Sequence, residues 1–326
     1  LKKRTLLLTV FTISFWIFPM LRIFRSEEKK HLKQIKRNAY QIISFLSVDL
    51  GERTLRRYDS LNKARSYIIN YFRTRGKDAS IREETYMVQD KTVSNIVSEI
   101  KGYEDPESII LIGAHYDTVE DTPGADDNAS AIAALLEIYR LISPYRHKKT
   151  VRFVAFTLEE PPFFSTDQMG SMKYAELCRE RGENIELAVV FDMLGYANKR
   201  KRQEFPFSSI KGNFPVYANY LTVVSFPSAS EYVYSFRNIY NSATRHKIYE
   251  IIGPASIPGI DLSDHTSFVK KGYPGILLTD TAFYRNKNYH APTDTIDTIN
   301  FNFLAINIAN ITRTVQHLLN KDMFNK

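Results

Sequence analysis

A single cysteine, Cys178, excludes an intramolecular disulfide and any cysteine-built metal cluster. It does not fix a compartment, because many exported proteins also lack disulfides. The chain has no G-x-S-x-G elbow, no H-E-x-x-H pair and no glycine-rich phosphate loop, which leaves serine-nucleophile and nucleotide-dependent enzymes without support. Internal repeats and low-complexity tracts are missing as well. Broad positive charge is also lacking, despite 44 Lys+Arg against 36 Asp+Glu. The whole excess of eight lies within residues 1–37, from Lys2, Lys3 and Arg4 through Lys36 and Arg37, so the rest of the chain is formally neutral. A neutral body offers no basic footprint, and nucleic acid is not expected as a partner.

Residues 5–21 carry no charge and follow Lys2-Lys3-Arg4, a run near the lower limit for spanning a hydrocarbon core. No A-x-A cleavage pattern follows it, so 1–26 is expected to be an uncleaved signal anchor, with secretion the outcome if it is cleaved. An export-type N-terminus places the body outside the cytoplasm, periplasmic or extracellular. The basic stretch 22–37 suits either anionic headgroups or a solvated helix face.

Residues 27–326 are ordinary globular sequence, of a size for one large α/β domain or two small ones. Helical spacing of Ile35, Tyr40, Ile43 and Leu46 predicts a helix over 32–49. A second helix runs from Asp59-Ser60 to Gly76. Strands are predicted over 81–88, 93–100, 108–114, 151–158, 187–194 and 275–281, and helices over 129–142, 170–181 and 301–319. Alternating strands and helices imply an α/β three-layer sandwich with a largely parallel sheet and helices on both faces. Residues 196–260, rich in Tyr, Phe, Pro and Ser, read as a loop-rich elaboration over the site.

Polar residues that carry chemistry follow the predicted strands. His115 and Asp117 stand where an apolar strand runs out, in register to face each other. A carboxylate behind a metal-bound imidazole is the usual arrangement, although a strand-end histidine needs no metal. Asp127 lies in Gly124-Ala125-Asp126-Asp127-Asn128, which serves either as a helix cap or as a cation bridge. Glu159-Glu160 precede Pro161-Pro162, which breaks the strand and lets both carboxylates enter one cavity. A metal hydrolase needs one carboxylate as ligand and one as general base. Asp192 sits in an apolar strand, where a charge needs a partner. Tyr289-His290 and Asp294 follow the 275–281 strand, and open α/β sheets bind ligands beyond their carboxyl ends.

Together, His115-x-Asp117, Gly124-Ala125-x-Asp127, Glu159-Glu160, Asp192 and Tyr289-His290 resemble the zinc-dependent exopeptidases related to bacterial leucyl aminopeptidase. That superfamily also includes glutamate carboxypeptidase II and the glutaminyl cyclases. The resemblance spans roughly residues 30–320 and implies two zinc ions per chain. Asp127, Glu160 and His290 would take one, and His115, Asp127 and Asp192 the other, with Asp127 bridging and Glu159 as general base. It also implies a cis peptide at Asp127-Asn128 and a carboxylate network joining Asp264 to Glu159. Tyr289 and His265 are candidate donors to the developing oxyanion, with core packing the alternative for both. An oxygen-and-imidazole ligand set also accepts manganese or cobalt.

The resemblance implies an aminopeptidase acting on peptide substrates. A carboxypeptidase or dipeptidase on the same fold is an alternative, as is a glutaminyl cyclase. Against the cyclase, Tyr289 stands where that branch tends to have Trp, and the sole Trp is Trp16. A catalytically dead binding module would have lost a ligand or the base, and none is lost. Ala131 replaces a glycine common after the bridging motif. Lys199-Arg200-Lys201-Arg202 reads as a solvated loop, with an anionic-substrate or lipid contact the alternative. Nothing in the sequence fixes the oligomeric state.

Overall fold

The computed structural model describes residues 26–76 and 79–321. The candidate anchor run 5–21 lies outside the described residues. Among the described residues, no helix is long and apolar enough to cross a membrane.

Helix α1 covers 26–44 and ends in a wider turn, Phe45–Leu50. Its buried stripe is Ile35, Ala39, Ile42, Ile43 and Leu46, spaced for one helical face. Tyr40, predicted on that stripe, is instead 50% exposed and leans on Phe301, because the stripe runs through Ala39. Helix α2 (Tyr58–Arg75) buries Leu61, Ala64, Ile68, Ile69 and Phe72. Gly76 follows it, donating its N–H to the Phe72 carbonyl.

Eight strands form one mixed sheet: β1 (Ser80–Val88), β2 (Lys91–Ile100), β3 (Asp105–His115), β4 (Lys149–Phe156), β5 (Asn184–Phe191), β6 (Thr222–Ser225), β7 (Tyr249–Ile252) and β8 (Gly275–Thr279). Their spatial order is β1-β2-β4-β3-β5-β8-β6-β7. The central block β4-β3-β5-β8 is parallel throughout. Alternate residues along these strands feed two cores. Ile110, Ile112, Phe153, Val189 and Phe191 pack under α1, α2, α3 (Ala131–Ile142) and α7 (Phe301–Asn320). Ile109, Leu111, Val154, Phe156 and Ala188 pack against α4 (Gly170–Glu180) and α6 (His265–Lys270). Helices therefore cover both faces, and β3 and β5 carry continuous apolar runs over 109–114 and 187–191, whereas β4 includes Arg152, paired with Glu99 and Glu183.

Two sequence expectations change. The strands predicted over 151–158 and 187–194 end at Phe156 and Phe191, so Asp192 follows its strand instead of lying within it. Leu158 and Met193 explain the early exits, since both take positive φ (53° and 57°), which no strand tolerates. Region 196–260 is more than loop. It holds β6, α5 (Ser230–Ala243) and β7, which extend the sheet beyond β8.

Candidate metal centre

Because β4, β3, β5 and β8 run parallel, their carboxyl ends share one edge, and candidate ligands follow each end. His115 closes β3, Glu159 and Glu160 follow β4, Asp192 follows β5, and Tyr289-His290 lie on the loop after β8. Asp127 comes from the turn Ala125–Ser130 ahead of α3. The side chains converge. His115 Nε2 lies 3.5 Å from Asp127 Oδ1 and 3.8 Å from both Asp192 Oδ1 and Glu159 Oε2. His290 Nε2 lies 3.2 Å from Asp127 Oδ2 and 3.2 Å from Glu160 Oε2. Asp127 thus faces one imidazole with each carboxylate oxygen. His115-Asp127-Asp192 and Asp127-Glu160-His290 each bring three ligand atoms within 4.8 Å of one another.

Backbone hydrogen bonds aim these groups. The Asp117 carboxylate accepts the N–H of Glu159 and of Glu160, at 3.1 Å each, and lies 3.5 Å from His115 Nδ1. It therefore fixes the strand break and stands beside the imidazole. Asp294 accepts the N–H groups of Asp126 and Asp127 at 3.0 Å each. The Asn128 amide clamps the end of β5, donating to the Phe191 carbonyl (3.1 Å) and accepting from Met193 N–H (3.0 Å), on either side of Asp192. The Asp127-Asn128 peptide is cis. Gly124 has φ 60°, and a Cβ there would stand 2.4 Å from both the Asp127 carbonyl and Thr118, so only glycine fits this approach.

Arg53 has no counterpart in the sequence reading. Fully buried, it donates to the carbonyls of Leu46, Gly51, Tyr116, Pro123 and Gly124 at 2.8–3.0 Å. It ties the segment after His115 to the segment before Asp127. Burial pulls its pKa down to about 10 against the pull of Asp117 and Asp294. Arg53→Met keeps most of the volume but strips five carbonyls of their donor, three of them buried, and is expected to lose roughly 3–5 kcal/mol of stability. A lower denaturant midpoint at unchanged m-value would show it.

The electrostatics call for cations. Burial, with Glu160, Asp264 and Asp192 nearby, pushes Glu159 well above the usual carboxylate range, although His115 pulls it back. Burial and Asp127 push Glu160 up to about 8. Burial lowers His115 and His290, but the surrounding carboxylates outweigh it, holding His115 well above 6.5 and bringing His290 to about 10. His115 is 1% exposed, yet neither of its ring nitrogens finds a hydrogen-bond partner. Orphaned imidazole atoms amid crowded carboxylates fit divalent ions, and the mixed nitrogen and oxygen donors suit zinc.

Tyr289 stacks on His290 at 3.7 Å, and burial followed by Asp127 and Glu160 raises its hydroxyl pKa, so it remains a donor. Asp264 is fully buried, with neither oxygen hydrogen-bonded, and burial raises it to about 7. Its charge adds to that acting on Glu159. His265 does not join the cluster. Its Nε2 lies 2.7 Å from the Ile260 carbonyl, its ring stacks on Phe226, and it has no exposed surface. Beside Asp192 and Tyr289 opens a cavity walled mainly by apolar residues, among them Val224, Ile251, Ile257, Ile260, Leu277 and Phe283.

Comparison with known proteins bears on the family and the fold. A family model described as peptidase family M28 matches residues 95–315. YfbL of Escherichia coli is 34% identical over 272 residues, covering 81% of this chain and 82% of that one. Leucine aminopeptidase 2 of Arthroderma otae is 25% identical over 68% of this chain, which spans only 44% of that protein. Among solved structures, the LapA aminopeptidase of Legionella pneumophila matches with a TM-score of 0.71 at 19% identity, over 91% of this chain and 75% of LapA. BSAP, a zinc aminopeptidase from Bacillus subtilis, gives 0.70 at 17% identity, over 89% and 96%. A glutaminyl cyclase of Porphyromonas gingivalis gives 0.65 at 18%, over 87% and 98%. At these identities the structural likeness is one of fold, and that fold serves both peptidase and cyclase.

Proposed function

We propose, from the premise that this chain belongs to peptidase family M28, that it is a zinc-dependent aminopeptidase removing N-terminal residues from peptides. The observation that carries the reading is Asp127, poised between the imidazoles of His115 and His290 with Glu159 beside them. Two zinc ions are assigned, one to Asp127, Glu160 and His290, the other to His115, Asp127 and Asp192. Bound there, zinc would polarise the scissile carbonyl and lower the pKa of the attacking water.

The protein's own groups do the rest. Glu159 takes the proton of the attacking water on its carboxylate and delivers it to the departing amine. The Tyr289 hydroxyl donates a hydrogen bond to the oxygen on which negative charge develops. The apolar cavity beside Asp192 receives the side chain of the released residue. We assign His265 to bracing the Ile260 wall of that cavity, through the contact at the Ile260 carbonyl. The uncharged run 5–21, flanked by Lys2-Lys3-Arg4 and Arg22, supports a membrane anchor with the catalytic domain on the far side.

The test uses the full chain loaded with zinc and offered short peptides with free N-termini, blocked N-termini or N-terminal Gln, with products read by mass. Stepwise loss of N-terminal residues from unblocked peptides alone is expected. Ammonia loss from N-terminal Gln without cleavage, or release from the carboxyl end, would overturn the reading.

A further inference from the structure

The metal centre makes no use of the four consecutive cations Lys199-Arg200-Lys201-Arg202, yet these stand on a built turn. Asn198 N–H donates to the Ala218 carbonyl (2.7 Å), Ala218 N–H to the Lys201 carbonyl (3.1 Å) and Gln203 N–H to the Val216 carbonyl (3.0 Å). Arg202 and Tyr217 form an antiparallel bridge. The Asn198 side-chain oxygen accepts the N–H groups of Arg200 (2.8 Å) and Lys201 (3.1 Å), closing the turn. All four cations are exposed. Among the described residues none of the four has an ion-pair partner, and Lys201 finds only the Tyr196 ring, 5.7 Å away. The sole acid of the segment, Glu204, is already paired with Lys287 at 2.9 Å. Like charges held this close repel one another, and an anion relieves them.

The turn is fastened to the site. The Gln203 amide donates to Thr281 Oγ1 (2.8 Å) and accepts from Arg285 Nε (3.0 Å). Thr281 and Pro206 line the apolar cavity that reaches Asp192 and Tyr289. A substrate side chain entering that cavity meets apolar walls, and the cations stand four to seven residues ahead of Pro206, which lines it.

We infer that the 199–202 turn selects peptides carrying carboxylates beyond the scissile bond, an inference that rests on the aminopeptidase reading of the same site. An extended peptide with acidic residues after its first two positions would neutralise the turn while its first side chain fills the cavity. The steering is electrostatic and exposed, so it weakens with salt.

The experiment compares Leu-Gly-Asp-Glu-Asp with Leu-Gly-Asn-Gln-Asn on the full, zinc-loaded chain. It also compares the chain carrying Lys199→Ser, Arg200→Ser and Lys201→Ser together. The parent is expected to favour the acidic peptide about tenfold in kcat/KM at low salt, and the triple variant and high salt to abolish the preference. Binding of the fluorescently labelled peptides to the Glu159→Gln chain supplies a readout independent of turnover, with the same tenfold ratio expected. If no peptide is hydrolysed, the aminopeptidase reading falls, while the binding ratio still judges the turn. Equal binding of both peptides, or a preference that survives the triple variant, overturns the inference. So does a triple variant that loses only sedimentation with phosphatidylglycerol vesicles, because the cations would then face lipid.

Discussion

Glu159→Gln is expected to keep its bound zinc and to lose about 10³- to 10⁴-fold in kcat. The amide has the shape of the acid but cannot hold the proton of the attacking water. The five assigned ligands, His115, Asp127, Glu160, Asp192 and His290, are untouched. The local backbone is held from elsewhere, since Glu159 N–H and Glu160 N–H both donate to Asp117. KM should therefore move little while turnover collapses, the signature of an interaction made in the transition state. Steady-state kinetics beside a metal count by atomic absorption distinguishes the outcomes. Normal turnover with full metal would remove Glu159 from the mechanism, and lost metal would make it a ligand.

Asp127→Ala is expected to take bound zinc from two ions per chain toward none and to abolish activity. The two oxygens of this one carboxylate face His115 at 3.5 Å and His290 at 3.2 Å, so its loss would be felt in both halves of the centre. Asp192→Ala, by contrast, should empty only the His115 half. The turn itself should survive Asp127→Ala, because Asp294 grips the backbone N–H of residue 127 and not its side chain. Metal analysis on both variants, with circular dichroism as the folding control, gives the answer. An unchanged metal content after Asp127→Ala would return the residue to an ordinary role at the start of α3.

Much of this was legible in the sequence because the informative signals were local. A parallel strand covered on both faces is apolar along most of its length, as Ile109–Ala114 and Leu187–Phe191 are, and a polar residue at the end of such a run stands out. Arg53 was not legible, since its partners are carbonyls brought together from residues 46 to 124, and Gly51-Glu52-Arg53-Thr54 reads as surface. The elements β6 and β7 have four residues each, too few to establish an alternation. Between them, α5 does space Val233, Phe236 and Tyr240 for one face, but four serines and tyrosines among its first seven residues mask the period. Asp126 illustrates a different miss. It adjoins Asp127, to which the zinc ions are assigned, yet its carboxylate serves Gly195 N–H (2.8 Å) and the Asn286 amide (2.9 Å), stitching the post-β5 segment to the loop that carries His290.

That stitching bears on how the protein stands without its metal. Asp117, Asp294 and Asn128 hold the backbone around the ligands through contacts made wholly within the polypeptide. Small metal-dependent domains remain unfolded until an ion gathers their ligands. Here the backbone around the assigned ligands is held by hydrogen bonds that no ion supplies. Removing zinc with a chelator is therefore expected to silence the enzyme while leaving its far-ultraviolet circular dichroism unchanged, and a lost helical signal would show that the ion also holds the fold.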